Sequence, residues 1–197
     1  MDLDRPLRRR LAPVATAVAR PFRHVHPVAL TLAAGVLGIS GAALVAIGYP
    51  AGAALAAVGV LLDGIDGPVA RLADRESRFG AWLDSTIDRA VDFALAAALG
   101  WRGHVSGDDA LLAAGMAAAA GSFLASYARA RAEGLEVYTT EGIAPRWVRL
   151  CLIALAAGAL GAGRTEVAVL LLVVIALLGL ITAAARGVAV FLADREA

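Results

Sequence analysis

Four aspartates are concentrated in one part of the chain, in Asp63-Gly64-Ile65-Asp66-Gly67-Pro68-Val69-Ala70-Arg71 and, after a short gap, in Gly80-Ala81-Trp82-Leu83-Asp84-Ser85-Thr86-Ile87-Asp88. The surrounding segments are apolar and rich in small residues, and a carboxylate at bilayer depth is costly enough to mark function by default. Helical spacing puts Asp63 and Asp66 on one face and Asp84 and Asp88 on another, because residues three and four apart are neighbours on a helix. Two such faces opposed would offer oxygen ligands from two directions. Mg²⁺, Mn²⁺ and Ca²⁺ prefer such a donor set, whereas zinc and copper do not. The competing reading is a solvated charged loop, and the elements that carry the stretch decide between the two.

Composition defines those elements. The chain has 197 residues, 60% of them hydrophobic, with a mean hydropathy of +0.74, values that predict a single polytopic membrane domain over residues 1–197. A formal charge of +1 excludes a strongly basic nucleic-acid binder. All 18 basic residues are arginine. The single cysteine, Cys151, lies in an apolar run and rules out a disulfide framework; it reads as a small buried hydrophobe. No signal-peptide core precedes Val28, so insertion falls to the first true span.

The expected fold is all-α and integral to the membrane, with six transmembrane helices preceded by a cytoplasmic interfacial helix. Residues 2–26 carry arginines against Leu3, Leu7, Leu11, Val14, Val18 and Phe22 at three- and four-residue steps, an amphipathic pattern suited to the interface. The spans are expected at about 28–48, 51–73, 79–101, 110–132, 147–161 and 167–190. Leu72–Arg78 reads as a short cytoplasmic turn and Arg102–Asp109 as a polar outer loop. Spans two and three are the informative ones. Ala51–Leu62 and Phe93–Trp101 are each too short to cross about 30 Å of hydrocarbon, so both helices must run on through the aspartates. Counted from a shared outer surface, an antiparallel hairpin then brings all four carboxylates to nearly one level in the inner leaflet.

Leaving aside Arg89 inside span three, only Arg102 and Arg164 fall on the side opposite the N-terminus. This positive-inside bias puts both termini and the mouth of the motif in the cytoplasm of a multi-pass cell-membrane protein. Gly64, Gly67 and Gly80 lower the helix surfaces beside the carboxylates. Pro68 should kink or locally irregularise span two. Small residues four apart, such as Ala34/Gly38 and Gly115/Ala119, permit close helix packing. Asp92, one turn beyond Asp88, is expected to pair with Arg89 or to tune the site, and Asp74 and Glu76 to be solvated turn charges.

The pattern Asp63-x-x-Asp66-Gly67-x-x-Ala70-Arg71, then Gly80-x-x-x-Asp84-x-x-x-Asp88, resembles the signature of the CDP-alcohol phosphotransferases at all its fixed positions. The resemblance implies transfer of a phosphatidyl group from CDP-diacylglycerol to a hydroxyl acceptor, release of CMP, two Mg²⁺ or Mn²⁺ ions per site, and a homodimer in the bilayer. It implies Asp63, Asp66, Asp84 and Asp88 as metal ligands, with Asp88 also the general base. Asp66, Gly67, Ala70, Arg71 and Gly80 would fall in the nucleotide site, joined by Thr31.

Asp84-Ser85-Thr86-Ile87-Asp88-Arg89 and Ser126-Tyr127-Ala128-Arg129-Ala130-Arg131-Ala132-Glu133 are most similar to the actinobacterial phosphatidylinositol phosphate synthase branch. That likeness implies an inositol phosphate acceptor whose phosphate meets Arg129, Arg146, Arg149 and Arg186. The stretch Arg146-Trp147-Val148-Arg149 lacks the branch's Pro-Glu pair, and His26-Pro27-Val28 lacks its Asn, so glycerol 3-phosphate or a neutral alcohol such as inositol stays open. From another class, the same carboxylates would serve a divalent-cation transporter or channel.

Overall fold

The structure, a computed structural model, describes residues 15–139, 142–143 and 145–196. Among these residues the architecture is helical, with no strand. Residues 15–19 are helical and run into a 3₁₀ turn at Arg20–Phe22. Six helices follow: α1 (Pro27–Ala46), α2 (Ala51–Leu72), α3 (Arg78–Ser106), α4 (Asp109–Glu133), α5 (Arg146–Gly161) and α6 (Thr165–Glu196). Each occupies the place of one expected span. The amphipathic helix expected from residue 2 lies, over residues 2–14, outside the described residues.

Four of the six, α1, α2, α4 and the Thr165–Arg195 part of α6, are long and apolar enough to cross a membrane. α3 has ample length at 29 residues but carries Asp84, Asp88, Arg89 and Asp92. α5 is apolar but has only 16 residues.

The helix ends follow local chemistry. Asp74 adopts φ 53°, a conformation Asp tolerates better than most residues, and Arg75 N donates to the Ala70 carbonyl at 2.9 Å to close α2. Pro68 lies inside α2, which continues past it to Leu72. Residues Arg102–Ser106, expected in a loop, extend α3. Ser106 Oγ donates back to the Arg102 carbonyl at 2.9 Å, and the helix stops where Gly107 takes φ +72°. Asp108 then caps α4, accepting from Leu111 N at 2.9 Å. The polar residues of this stretch satisfy one another along the helix, so they do not force a loop.

The described contacts fall into two compact units, Met1–Gly41 with Ala54–Val91 and Ala42–Ala53 with Asp92–Ala197. In the first, Ala19, Leu30 and Val69 form a buried core against which Phe22 and Leu62 pack. A side chain on Gly59 would come within 2.8 Å of the Ala34 carbonyl and of Gly38 N, so this small-residue pair is used to seat α2 on α1. In the second, Gly100 of α3 meets Gly115 of α4 so closely that a Cβ on Gly100 would stand 3.1 Å from the Gly115 Cα. α4 packs along α6, with Gly121 against Ala176 and Gly179, and α5 also packs on α6. Cys151, expected to be buried, is exposed on α5, since an apolar side chain on a helix of this hydropathy has no need to face protein.

Candidate active site

Within the first unit, the α2–α3 hairpin brings Asp63, Asp66 and Asp84 together. One carboxylate oxygen from each lies within 4.8 Å of the others, with Asp66 buried and the other two half-buried. Three hard oxygen donors converging from two helices fit a divalent cation such as Mg²⁺ or Mn²⁺. They do not suit zinc, which favours nitrogen and sulfur ligands. The solvated-loop reading fails, because these residues are helical and partly or wholly buried.

Thr31 of α1 enters this cluster directly. Its Oγ1 lies 2.5 Å from Asp66 Oδ2 and 3.2 Å from the Pro27 carbonyl, and the shorter contact gives the hydroxyl proton to the carboxylate. Thr31 is 3% exposed, so its partner is the Asp66 carboxylate and not solvent.

Asp88 is one turn along α3 from Asp84 and is 8% exposed. Its Oδ2 stands 3.8 Å from Arg89 Nη2, and it is outside the three-carboxylate grouping. Around the cluster, a Cβ on Gly64 would meet nothing within 4 Å, and one on Gly67 would meet only Arg71 Nη1, at 3.6 Å. The helix surface at these glycines is therefore open, with Ala70 half-buried and Arg71 exposed on the same helix. Gly80 N donates to Ser77 Oγ at 3.0 Å at the start of α3.

The arginines belong to the second unit. Arg146 Nε donates to Asp92 Oδ1 at 3.1 Å, and Arg149 Nη2 to Asp92 Oδ2 at 3.4 Å. The expected pairing of Asp92 with Arg89 is thus replaced by one with α5, and Arg89 leans on Asp88 instead. Buried Arg186 donates from Nη1 to the Ala125 carbonyl of α4, one turn before Arg129. Arg129 is exposed and ion-paired with Glu133 at 2.8 Å. Spacing along α3 offered Asp92 the neighbouring Arg89 and gave no pointer to α5. The available signal was its position: a carboxylate in the apolar half of α3 requires a cationic partner.

The family model for CDP-alcohol phosphatidyltransferases matches residues 24–193. The chain belongs to that family. Membership in the CDP-alcohol phosphatidyltransferases places it among phosphate-group transferases.

Among CDP-alcohol phosphatidyltransferases, the archaetidylinositol phosphate synthase of Methanothermobacter thermautotrophicus is 34% identical over 148 residues, covering 75% of this chain and 71% of that one. An uncharacterized Aquifex aeolicus relative is 42% identical over 47% of this chain, a match that spans 49% of that protein's length. The phosphatidylinositol phosphate synthase of Mycobacterium tuberculosis, solved with CDP-DAG bound, superposes with a TM-score of 0.81 at 29% identity, covering 91% of this chain and 94% of that one. The same enzyme in complex with manganese and citrate gives 0.80 at 28% identity, covering 90% and 88%.

Proposed function

We propose that the protein transfers the phosphatidyl group of CDP-diacylglycerol to a hydroxyl of inositol phosphate, releasing CMP. The observation that carries this reading is the meeting of Asp63, Asp66 and Asp84 across the hairpin, with Asp88 one turn away. The likeness to phosphatidylinositol phosphate and archaetidylinositol phosphate synthases supports the acceptor.

Asp63, Asp66 and Asp84, with Asp88 at the edge, would hold two Mg²⁺ or Mn²⁺ ions. Bound there, the ions supply charge stabilisation for the pyrophosphate and the departing CMP. The open helix surface at Gly64 and Gly67, with Ala70, Arg71, Gly80 and Thr31, receives the nucleotide and lets it approach the backbone. Asp88 takes the proton of the acceptor hydroxyl. The hydroxyl oxygen bonds to the phosphorus that carries diacylglycerol, and the bond from that phosphorus to the CMP oxygen breaks. Arg129, Arg146, Arg149 and Arg186 receive the acceptor's phosphate, a task for which the planar guanidinium is suited.

The enzyme is a homodimer in the cell membrane. All six helices span the bilayer behind an interfacial N-terminal helix, with the site and both termini facing the cytoplasm.

Purified protein incubated with CDP-diacylglycerol, Mg²⁺ or Mn²⁺ and a panel of acceptors tests the reaction. CMP release that depends on inositol phosphate, and exceeds that with inositol or glycerol 3-phosphate, is the expected result. A panel without any acceptor-dependent CMP release excludes it.

The Thr31–Asp66 hydrogen bond carries its own prediction. Thr31→Val keeps the shape but removes the proton donor, and weakens Mn²⁺ binding by roughly 10- to 100-fold, as loss of a partner to a metal ligand does elsewhere. Thr31→Ser retains it. Mn²⁺ titration of the nucleotide-free protein by electron paramagnetic resonance reads the difference; equal affinity in wild type and Thr31→Val would leave the hydroxyl without this role.

A further inference from the structure

Asp92 is the one carboxylate of α3 that neither metal binding nor proton transfer employs. It is 3% exposed, and burying a carboxylate requires partners of excellent geometry. Its partners lie far along the chain: Arg146 is 54 residues away and Arg149 is 57.

Those two arginines are three apart on α5 and so share one face of it. Asp92 faces that side and engages them with separate oxygens, Oδ1 to Arg146 Nε and Oδ2 to Arg149 Nη2. A guanidinium is a rigid planar fork whose N–H directions are set once its plane is set. One carboxylate bonded to both forks therefore restricts where each can turn.

Exposure within the cluster is one-sided. The Asp92 side chain is 4% exposed and that of Arg149 7%, whereas that of Arg146 is 25% exposed. Asp92 and Arg149 are enclosed, and Arg146 is the open member of the three.

We propose that Asp92 is a positioning residue. It holds the guanidiniums of Arg146 and Arg149 in the orientation that receives the phosphate of a phosphorylated acceptor, and so sets the preference for that anion over a neutral alcohol. The inference rests on the reading of Arg146 and Arg149 as acceptor-phosphate ligands. A carboxylate that merely stapled α3 to α5 would affect all substrates alike.

The experiment measures kcat, both KM values and inhibition by inorganic phosphate for wild type, Asp92→Asn and Arg149→Gln. In Asp92→Asn the inositol phosphate KM and the inhibition constant of inorganic phosphate rise by roughly 10- to 100-fold, the scale on which misplaced binding groups act. The KM for CDP-diacylglycerol and kcat at saturating acceptor stay within about threefold, the pattern of lost acceptor binding. An unchanged acceptor KM, or equal losses toward both substrates, overturns the proposal.

Arg149→Gln separates this from the underlying reading. If it too leaves the acceptor KM unchanged, the acceptor-site assignment fails. If it raises that KM while Asp92→Asn does not, only the positioning role fails. Should Asp92→Asn not fold, Asp92→Glu keeps the charge but displaces both guanidiniums by a methylene length. It must raise the acceptor KM, and an unaltered value there is equally fatal.

Discussion

Asp88→Asn lowers turnover by about 10²- to 10⁴-fold, the range that a positioned general base contributes, while CDP-diacylglycerol and Mn²⁺ still bind. The substitution is nearly isosteric and replaces the basic carboxylate with a neutral amide, so the packing around this buried residue is preserved. The separation of effects follows from geometry. Asp63, Asp66 and Asp84 gather their oxygens within 4.8 Å without Asp88, so the donor set survives its loss. Single-turnover CMP release, paired with Mn²⁺ and nucleotide titrations, measures both sides. Turnover within tenfold of wild type would reassign the proton to another group; lost Mn²⁺ binding would make Asp88 chiefly a ligand.

The second large effect comes from Asp66. It is the most buried member of the cluster, at 7% exposure, and the one that Thr31 holds. Asp66→Asn removes a charged donor where hard cations require one, so Mn²⁺ binding and turnover are both lost, and raising the metal concentration does not restore full rate. Stability moves the other way. Like charges this close repel one another, and in metal-free buffer Asp66→Asn melts at a higher temperature than wild type. Calorimetry with and without Mn²⁺ checks both signs together: a variant that still gains stability from Mn²⁺ as wild type does would remove Asp66 from the metal site.

These effects were largely legible in the chain before folding. The shortfall of apolar residues in Ala51–Leu62 and Phe93–Trp101 forces both helices through the aspartates, and α2 and α3 run through them. Asp63/Asp66 and Asp84 then meet because helical spacing and a short hairpin leave them little choice. What spacing could not supply was partnership between distant elements. Arg89, three residues before Asp92, is a natural local partner, yet Asp92 turns to α5, and no periodicity relates α3 to α5. Thr31 was visible as a polar residue in an apolar span, but its attachment to Asp66 depends on how α1 packs. The end of α3 was misplaced for a different reason. Arg102, Gly103 and Ser106 look like loop residues, whereas a hydroxyl that bonds to its own preceding turn lets the helix continue to Gly107.

The shortness of α5 has a further consequence. Its 16 residues reach only about 24 Å along the axis, against a hydrocarbon thickness of about 30 Å. As the span that the proposed topology makes of it, α5 would create hydrophobic mismatch, which a bilayer relieves by thinning or by letting headgroups and water descend beside the helix. Arg146 and Arg149 stand at the first turn of α5, so in the proposed topology the membrane would be drawn down toward the residues proposed for the polar substrate, and lipid thickness would become a control on how readily that substrate arrives.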